Sequence, residues 1–448
     1  MGTCLKLGMV TLTMVTFTTK ISAAQDPSAD DVEALKKQNA EQQQRLEKLA
    51  GELDRIKKLL EEKGISDRGK SSGEKPLTSG LNVALYGYIK LDAAYDSSRI
   101  SAGNFARWVE SEQIRRNDDE FNITANQTRV GLRLSGEPSD DFRYGGVVEA
   151  DFYSGIGADN SPSPRLRLAN LTFEWPRVGF GVLAGQAADV ISPLYPTTVN
   201  YSVAWWQGNI GFRRPQLRLT QSLKPTEDVE LKLELAATRT IAGTLFTPMD
   251  FLGDPGADAG YPTAQGRVSV TFPGIGKRPV TLGVSGHWGR LEHDLTLTNG
   301  NDKLLFASWS GNVDLSLPIN RWLSIQGEAY IGSNLGAYVG GIGQGISVPL
   351  LKPIDDGGGW VAVSLAPWKL WSFNFGYGID RVDRGDLAPN PDPMKDPRAS
   401  NQMYFGNVFY SLNARIQLAL EFMHMRTTYK SVAAGDDWRE QLAVILKF

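Results

Sequence analysis

From residue 83 to the C-terminus, apolar and polar side chains alternate with a period of two. The first such segment is Val83-Ala-Leu85-Tyr-Gly87-Tyr-Ile89-Lys-Leu91-Asp-Ala93-Ala-Tyr95, apolar at odd positions, with Tyr86, Tyr88, Lys90 and Asp92 at even ones. Successive side chains of an extended strand point to opposite faces, so this pattern predicts a strand with one oily and one polar face. It recurs along the chain. Val130, Leu132 and Leu134 oppose Arg129 and Arg133; Phe142, Tyr144, Val148 and Phe152 oppose Arg143, Glu149 and Asp151. Val229, Leu231, Leu233 and Leu235 oppose Glu230, Lys232 and Glu234, and Trp371, Phe373, Phe375, Tyr377 and Ile379 oppose Ser372, Asn374 and Asp380. In the last segment Leu442, Val444, Leu446 and Phe448 share a face, with Gln441, Ala443, Ile445 and Lys447 on the other.

The connections alternate too. Short turns are expected near 136–141, 175–178, 224–228, 273–279, 318–321, 367–369 and 413–414. Long polar loops are expected near 97–121, 154–164, 187–209, 241–263, 290–303, 333–357, 381–400 and 428–437. Seven turns and eight loops join about sixteen strands, an even number. Together with an apolar final strand, this predicts an all-β fold: a transmembrane antiparallel barrel whose outer face meets hydrocarbon and whose lumen meets water. A soluble sandwich or propeller accounts for the period but not for the alternating loop lengths. Two places break the rule. Leu166 and Leu168 lie on even positions but Leu171, Phe173 and Trp175 on odd ones, which calls for a bulge near Asn170 or for Asn170 and Thr172 facing a neighbouring subunit. Arg213-Arg214-Pro215 puts charge on both parities, as at an irregular strand start.

Before residue 64 the period is different. Over 31–63, Val32, Asn39, Leu46, Leu53 and Leu60 fall at heptad position a, and Leu35, Gln42, Leu49, Ile56 and Lys63 at d. That narrow stripe predicts an α-helical coiled coil, with polar layers at Asn39 and Gln42 fixing register. A single amphipathic helix folded onto the barrel is the competing reading. Lys6, the apolar stretch from Leu7 to Phe17 and Ser22-Ala-Ala24 resemble a secretory signal peptide. The expected organisation is a signal peptide over 1–24, a periplasmic helix over 25–63, a flexible linker over 64–82 and a barrel over 83–448.

Composition narrows the class. Of 448 residues 41% are hydrophobic and 10% aromatic, with mean hydropathy −0.26, and no run is long and apolar enough for a spanning helix. The net charge of −3 gives no reason to expect a nucleic-acid partner. The one cysteine, Cys4, lies in the expected signal, which leaves the mature chain without thiol chemistry.

Candidate chemistry lies on the expected inner face. Its cations are Lys90, Arg129, Arg133, Arg143, Arg165, Arg167, Arg214, Arg218, Lys232 and Arg267, mostly from the first eight strands. A ladder of guanidinium groups would attract anions into a pore. Inward acids, including Asp92, Glu149, Asp151, Glu234, Asp314, Glu328 and Glu421, leave open that arginine and acid merely brace the wall. The third long loop, the position that folds into the lumen of many porins, holds Asp189 as its only acid, with Tyr195, Tyr201, Trp205 and Trp206 as an aromatic lining or as packing. His287, His293 and His424 have no partner at metal-ligand spacing, and Gly274-Ile-Gly276-Lys277 lacks the spacing of a phosphate loop. No catalytic residue, metal or cofactor is expected. The acids Asp383, Asp386, Asp392 and Asp396 lie in a Pro-rich loop, either solvated or bridging lipopolysaccharide through divalent cations.

Several segments carry a family likeness. Tyr86-Gly-Tyr-Ile-Lys-Leu-Asp92, Thr124-Ala-Asn-Gln-Thr-Arg129-Val-Gly, the stretch from Gly208 through Phe212-Arg-Arg-Pro to Arg218, Gly357-Gly-Gly-Trp360 and the heptad stalk resemble the DcaP-like outer-membrane porins. The terminal Phe448 resembles the targeting signal of bacterial outer-membrane barrels. The resemblance implies a homotrimer of sixteen-stranded barrels in the outer membrane, in contact with lipid and lipopolysaccharide, that passes small anionic organic solutes. It also implies Arg129, Arg133, Arg214 and Arg218 as lumen anion contacts. A passive, non-enzymatic porin is therefore expected. The alternatives are a general or sugar-type porin without anion preference, or a structural envelope trimer.

Overall fold

The computed structural model describes residues 81–103, 105–114, 118–137, 139–154, 162–241, 256–297 and 300–448. The expected signal peptide, the coiled-coil positions from Val32 to Leu60 and most of the linker lie outside the described residues.

The strands in chain order are β1 (Asn82–Asp96), β2 (Glu120–Thr124 continued by Arg129–Ser135), β3 (Arg143–Ser154), β4 (Ser163–Trp175), β5 (Phe180–Ala188), β6 (Arg213–Thr226), β7 (Val229–Thr238) and β8 (Thr263–Pro273). They continue as β9 (Pro279–Leu297), β10 (Gly300–Pro318), β11 (Leu323–Ser333), β12 (Asp355–Trp368), β13 (Trp371–Val382), β14 (Arg398–Ser411), β15 (Ile416–Tyr429) and β16 (Gly435–Lys447). Both pieces of β2 pair with β1, so they form one interrupted strand, and sixteen antiparallel strands result. Each pairs with its sequence neighbour. The ring closes where Ile89 and Leu91 of β1 lie opposite Leu446 and Val444 of β16. Closure removes every free edge, as a sheet surrounded by hydrocarbon requires.

The terminal residue belongs to that seam. The Phe448 N–H donates to the Gly87 carbonyl at 3.1 Å, and the Gly87 N–H donates to the Phe448 carbonyl at 3.2 Å. A Cβ at Gly87 would lie 2.1 Å from the Arg129 carbonyl oxygen, so only glycine fits there.

Side chains sort as the alternation predicts. Along β1, Leu85 is 60% and Ile89 54% exposed on the outside, while Lys90 and Asp92 are each 3% exposed on the inside. A water-soluble domain has the reverse arrangement; oily outside and charged inside is how a barrel in lipid is built. Aromatic side chains ring both rims. Phe142, Phe173, Trp175 and Phe180 pack together near the short turns, and Tyr377, Tyr404, His424 and Trp438 form a chain of ring contacts near the long loops. Such girdles mark the two membrane–water interfaces.

Three details correct the sequence reading. The bulge in β4 falls at Arg167, not near Asn170: Glu149 pairs with Leu168, but Ala150 pairs with Leu166. Arg167 is the extra residue, and the Gln186 amide donates to the carbonyls of Leu166 and Arg167 at 2.9 and 3.2 Å. Beyond the bulge Leu171 faces outward and the period puts Asn170 and Thr172 on the inner side, not toward a neighbouring subunit. Second, most of 290–303 is not a loop. β9 and β10 run on to Leu297 and from Gly300, and their antiparallel pairing continues to the end, with Leu297 opposite Gly300. Third, inward folding is not confined to the third long loop. Residues 97–103, 105–114 and 334–354 also turn into the barrel, burying Phe105, Trp108, Val109, Leu335, Tyr338 and Ile342. Apolar residues in a loop that stays in water would stand bare; inside the ring they form a core.

Candidate lumen constriction

The third long loop, 189–212, joins β5 to β6 yet is buried along most of its length. Backbone that leaves a sheet needs other partners for its N–H and C=O groups, and inward polar side chains from five strands supply them. Gln265 of β8 accepts the Val190 N–H at 2.8 Å, and Glu328 of β11 accepts that of Leu194 at 2.7 Å. Asn407 of β14 donates to the Thr197 carbonyl at 2.8 Å, and Lys90 of β1 to the Val199 carbonyl at 2.7 Å. Glu421 of β15 accepts the N–H groups of Val199 and Asn200, each at 2.8 Å. Asp189 fastens the base of the loop: its carboxylate lies 2.7 Å from Arg214, accepts from Gln265 at 2.8 Å and accepts the Phe212 N–H at 2.9 Å.

The wall from β2 to β10 is charged. Arg165 forks onto Asp151 at 2.9 and 2.8 Å. Arg167, pushed inward by the bulge, bridges Glu149 at 2.7 Å and Asp151 at 2.9 Å. Arg129 lies 3.6 Å from Glu149. The Tyr201 hydroxyl from the loop donates to Asp151 at 3.1 Å and accepts from Arg165 and from Arg167, the latter at 3.0 Å. Farther round, Arg267 forks onto Asp314 at 3.0 and 2.7 Å and reaches Glu234 at 3.3 Å, while Arg218 lies 3.6 Å from Glu234. Arg133 stands apart, exposed near the short turns with its guanidinium 5.0 Å from the Tyr86 ring. Arg129, Arg165, Arg167, Arg214, Arg218 and Arg267 thus each face a carboxylate, and Arg133 does not.

The aromatic residues expected on the loop divide between two roles. Trp205 and Trp206 are almost fully buried, packing with Phe105, Trp108, Tyr201, Phe212 and Ile342. Tyr195, Tyr201 and Trp205 also line a cavity of about 340 Å³ together with Arg129, Arg167 and Arg213. A larger cavity of about 640 Å³ lies toward the short turns, between Arg218, Lys232, Glu234 and Arg267.

The opposite wall went unremarked in the sequence. Trp360, Ala362, Met403, Phe405, Met423 and Met425 face inward from β12 to β15 and are buried against Ile100, Ala106, Val109 and Ala204 of the loops. The signal was present, since these residues sit on the inward parity of their strands. Nor did the pattern mark Arg107 and Arg398, whose guanidinium groups flank the Trp108 ring at 4.4 and 4.0 Å. Burial, and then the neighbouring Arg398 charge, brings the Arg107 guanidinium down to about 10. Of the histidines, His287 is buried between the Ser308 and Ser310 hydroxyls, and His424 faces outward beside Trp438. Among the described residues no group of three or more His, Cys, Asp or Glu could hold a metal.

No protein-family model matches the sequence, and no curated relative does either. Solved structures do. The outer-membrane channel DcaP of Acinetobacter baumannii superposes with a TM-score of 0.62 at 19% identity, over 84% of this chain and 100% of that one. An anion-selective porin from Comamonas acidovorans gives a TM-score of 0.51 at 11% identity, over 82% of this chain and 100% of that one. OmpF of Salmonella typhi gives 0.52 at 10% identity, over 84% and 100%. At such identities the likeness is one of fold. The fold is that of the outer-membrane porins, with DcaP among its structural relatives.

Proposed function

We propose that the protein is a porin of the outer membrane that passes small hydrophilic solutes passively and prefers organic anions, carboxylates above all. The observation that carries this reading is the charge gathered around the smaller cavity. Arg129, Arg167 and Arg213 line it together with Glu149, and Arg165 and Asp151 form the ion pair next to them. A surplus of fixed positive charge in a low-dielectric constriction lowers the barrier to anions and raises it to cations. Arg129, Arg133, Arg165, Arg167, Arg214, Arg218 and Arg267 set this field in the proposal, and Asp189, Tyr195, Trp205 and Trp206 set the shape of the opening. A homotrimer with its 31–63 helices bundled in the periplasm completes the reading; deleting 31–63 should then weaken trimer assembly.

The dense pairing of arginine with acid favours a second reading, a general porin in which the charges brace the wall. Uptake by proteoliposomes distinguishes the two. Labelled succinate should enter severalfold faster than erythritol, and erythritol faster than diaminobutane. Equal rates for the three would favour the general porin, and fastest entry of the diamine would overturn anion preference.

A further inference from the structure

The lumen arginines around the smaller cavity are bonded to acids, with one exception. Arg213 opens β6, is 7% exposed, and has no carboxylate partner; its guanidinium lies over the rings of Phe212 at 4.1 Å and Trp205 at 5.6 Å. Its Nη2 is buried without an acceptor. So is the indole Nε1 of Trp205, a side chain only 2% exposed. Both residues line the same 340 Å³ cavity. Buried donors without acceptors are costly, and two side by side on one cavity mark the place of a missing acceptor. Arg107 and Arg398 also lack carboxylate partners, but they donate to the Ser101 hydroxyl and the Ile342 carbonyl and lie outside this cavity.

We infer that Arg213, with the Trp205 indole beside it, forms a binding site for a single carboxylate at the constriction, and that Arg213 contributes more to anion selectivity than any one of the paired arginines. The inference rests on the anion-preferring reading above. The guanidinium supplies a permanent charge and a planar fork for two carboxylate oxygens, and the indole N–H supplies a further donor. Leu168, Ala188 and Val203 form the aliphatic part of the lining, beside Gln127, Glu149, Tyr195 and Tyr201, so the ligand is an organic acid with a small body. One unpaired guanidinium suits one carboxylate. The paired arginines keep their positions by holding Glu149 and Asp151, so a passing anion would have to break those forks to use them.

The test uses the full-length protein in planar bilayers, with Arg213→Met and Arg213→Lys beside the wild type. The readouts are the zero-current potential in a KCl gradient and the reduction of KCl conductance by added potassium butyrate. Methionine keeps packing against Phe212 and loses the charge. Its anion-to-cation permeability ratio should fall about three- to tenfold, with conductance reduction by butyrate abolished. Lysine keeps the charge and loses the fork, so its selectivity should stay within about twofold while butyrate acts severalfold more weakly. An Arg213→Met channel as anion-selective as the wild type would overturn the inference and leave the porin reading standing. If that variant does not fold, butyrate acting equally on Arg213→Lys and wild type would overturn it instead. A wild-type channel without anion preference would overturn both readings at once.

Discussion

The two walls of this lumen are built from the same alternating pattern and behave oppositely. From β2 to β10 the inward row carries arginine and acid, and two cavities lie against it. From β12 to β15 the inward row carries Trp360, Ala362, Met403, Phe405, Met423 and Met425, and residues of two loops are packed upon it. Polar residues on that second wall, Glu421, Asn407 and Asn401, hold loop backbone rather than face a cavity. Alternation therefore says which face a side chain takes. Whether that face is wet depends on what lies across from it. The two cavities described above thus lie against a wall whose inward charges are paired with one another.

Substitutions can break or sharpen this contrast. The largest effect should come from the dry wall. Trp360→Ala removes a buried ring and its N–H bond to Glu328, which also holds the Leu194 N–H. We expect a loss of about 3–5 kcal/mol in denaturant unfolding of the folded barrel and a larger conductance as loop 189–212 loosens. Unchanged stability would mean the dry wall is not a core. On the charged wall, Asp151→Asn leaves Arg165 and Arg167 underpaired. The cost should be on the order of 2 kcal/mol, less than the roughly 3–5 of a fully buried pair, because Arg165 keeps some contact with the lumen. The same change should raise anion selectivity, because it removes a negative charge from the constriction, and a shift toward cations would contradict the assignment of this wall. Tyr201→Phe severs the hydroxyl that ties the loop to Asp151, Arg165 and Arg167. About 1 kcal/mol should be lost, with noisier open-channel current as the second readout. Asp141→Asn breaks only the exposed pair with Arg177 at the turn rim and should change stability by less than about 0.5 kcal/mol. A larger loss there would show that the rim, not the lumen, controls stability.

The fold was largely legible in the sequence because a membrane barrel has few ways to satisfy its backbone. Strand parity, turn positions and the seam at Phe448 follow from a period of two and from closure. The pairing of charges was not legible. Arg267 meets Asp314 from 47 residues away, and only the register of β8, β9 and β10 brings them together. The bulge at Arg167 shows the limit of parity itself. A single extra residue shifts the register and sends Arg167 and Leu168 to the same cavity. The plugging loops left a signal that went unused: Phe105, Trp108, Leu335 and Ile342 are too apolar for segments that stay in water.

The account turns on the sign of the charge left uncancelled around the cavities of the charged wall. The zero-current potential of the wild-type channel across a KCl gradient measures that sign directly. It should shift toward the equilibrium potential of chloride; a shift toward that of potassium would contradict the account.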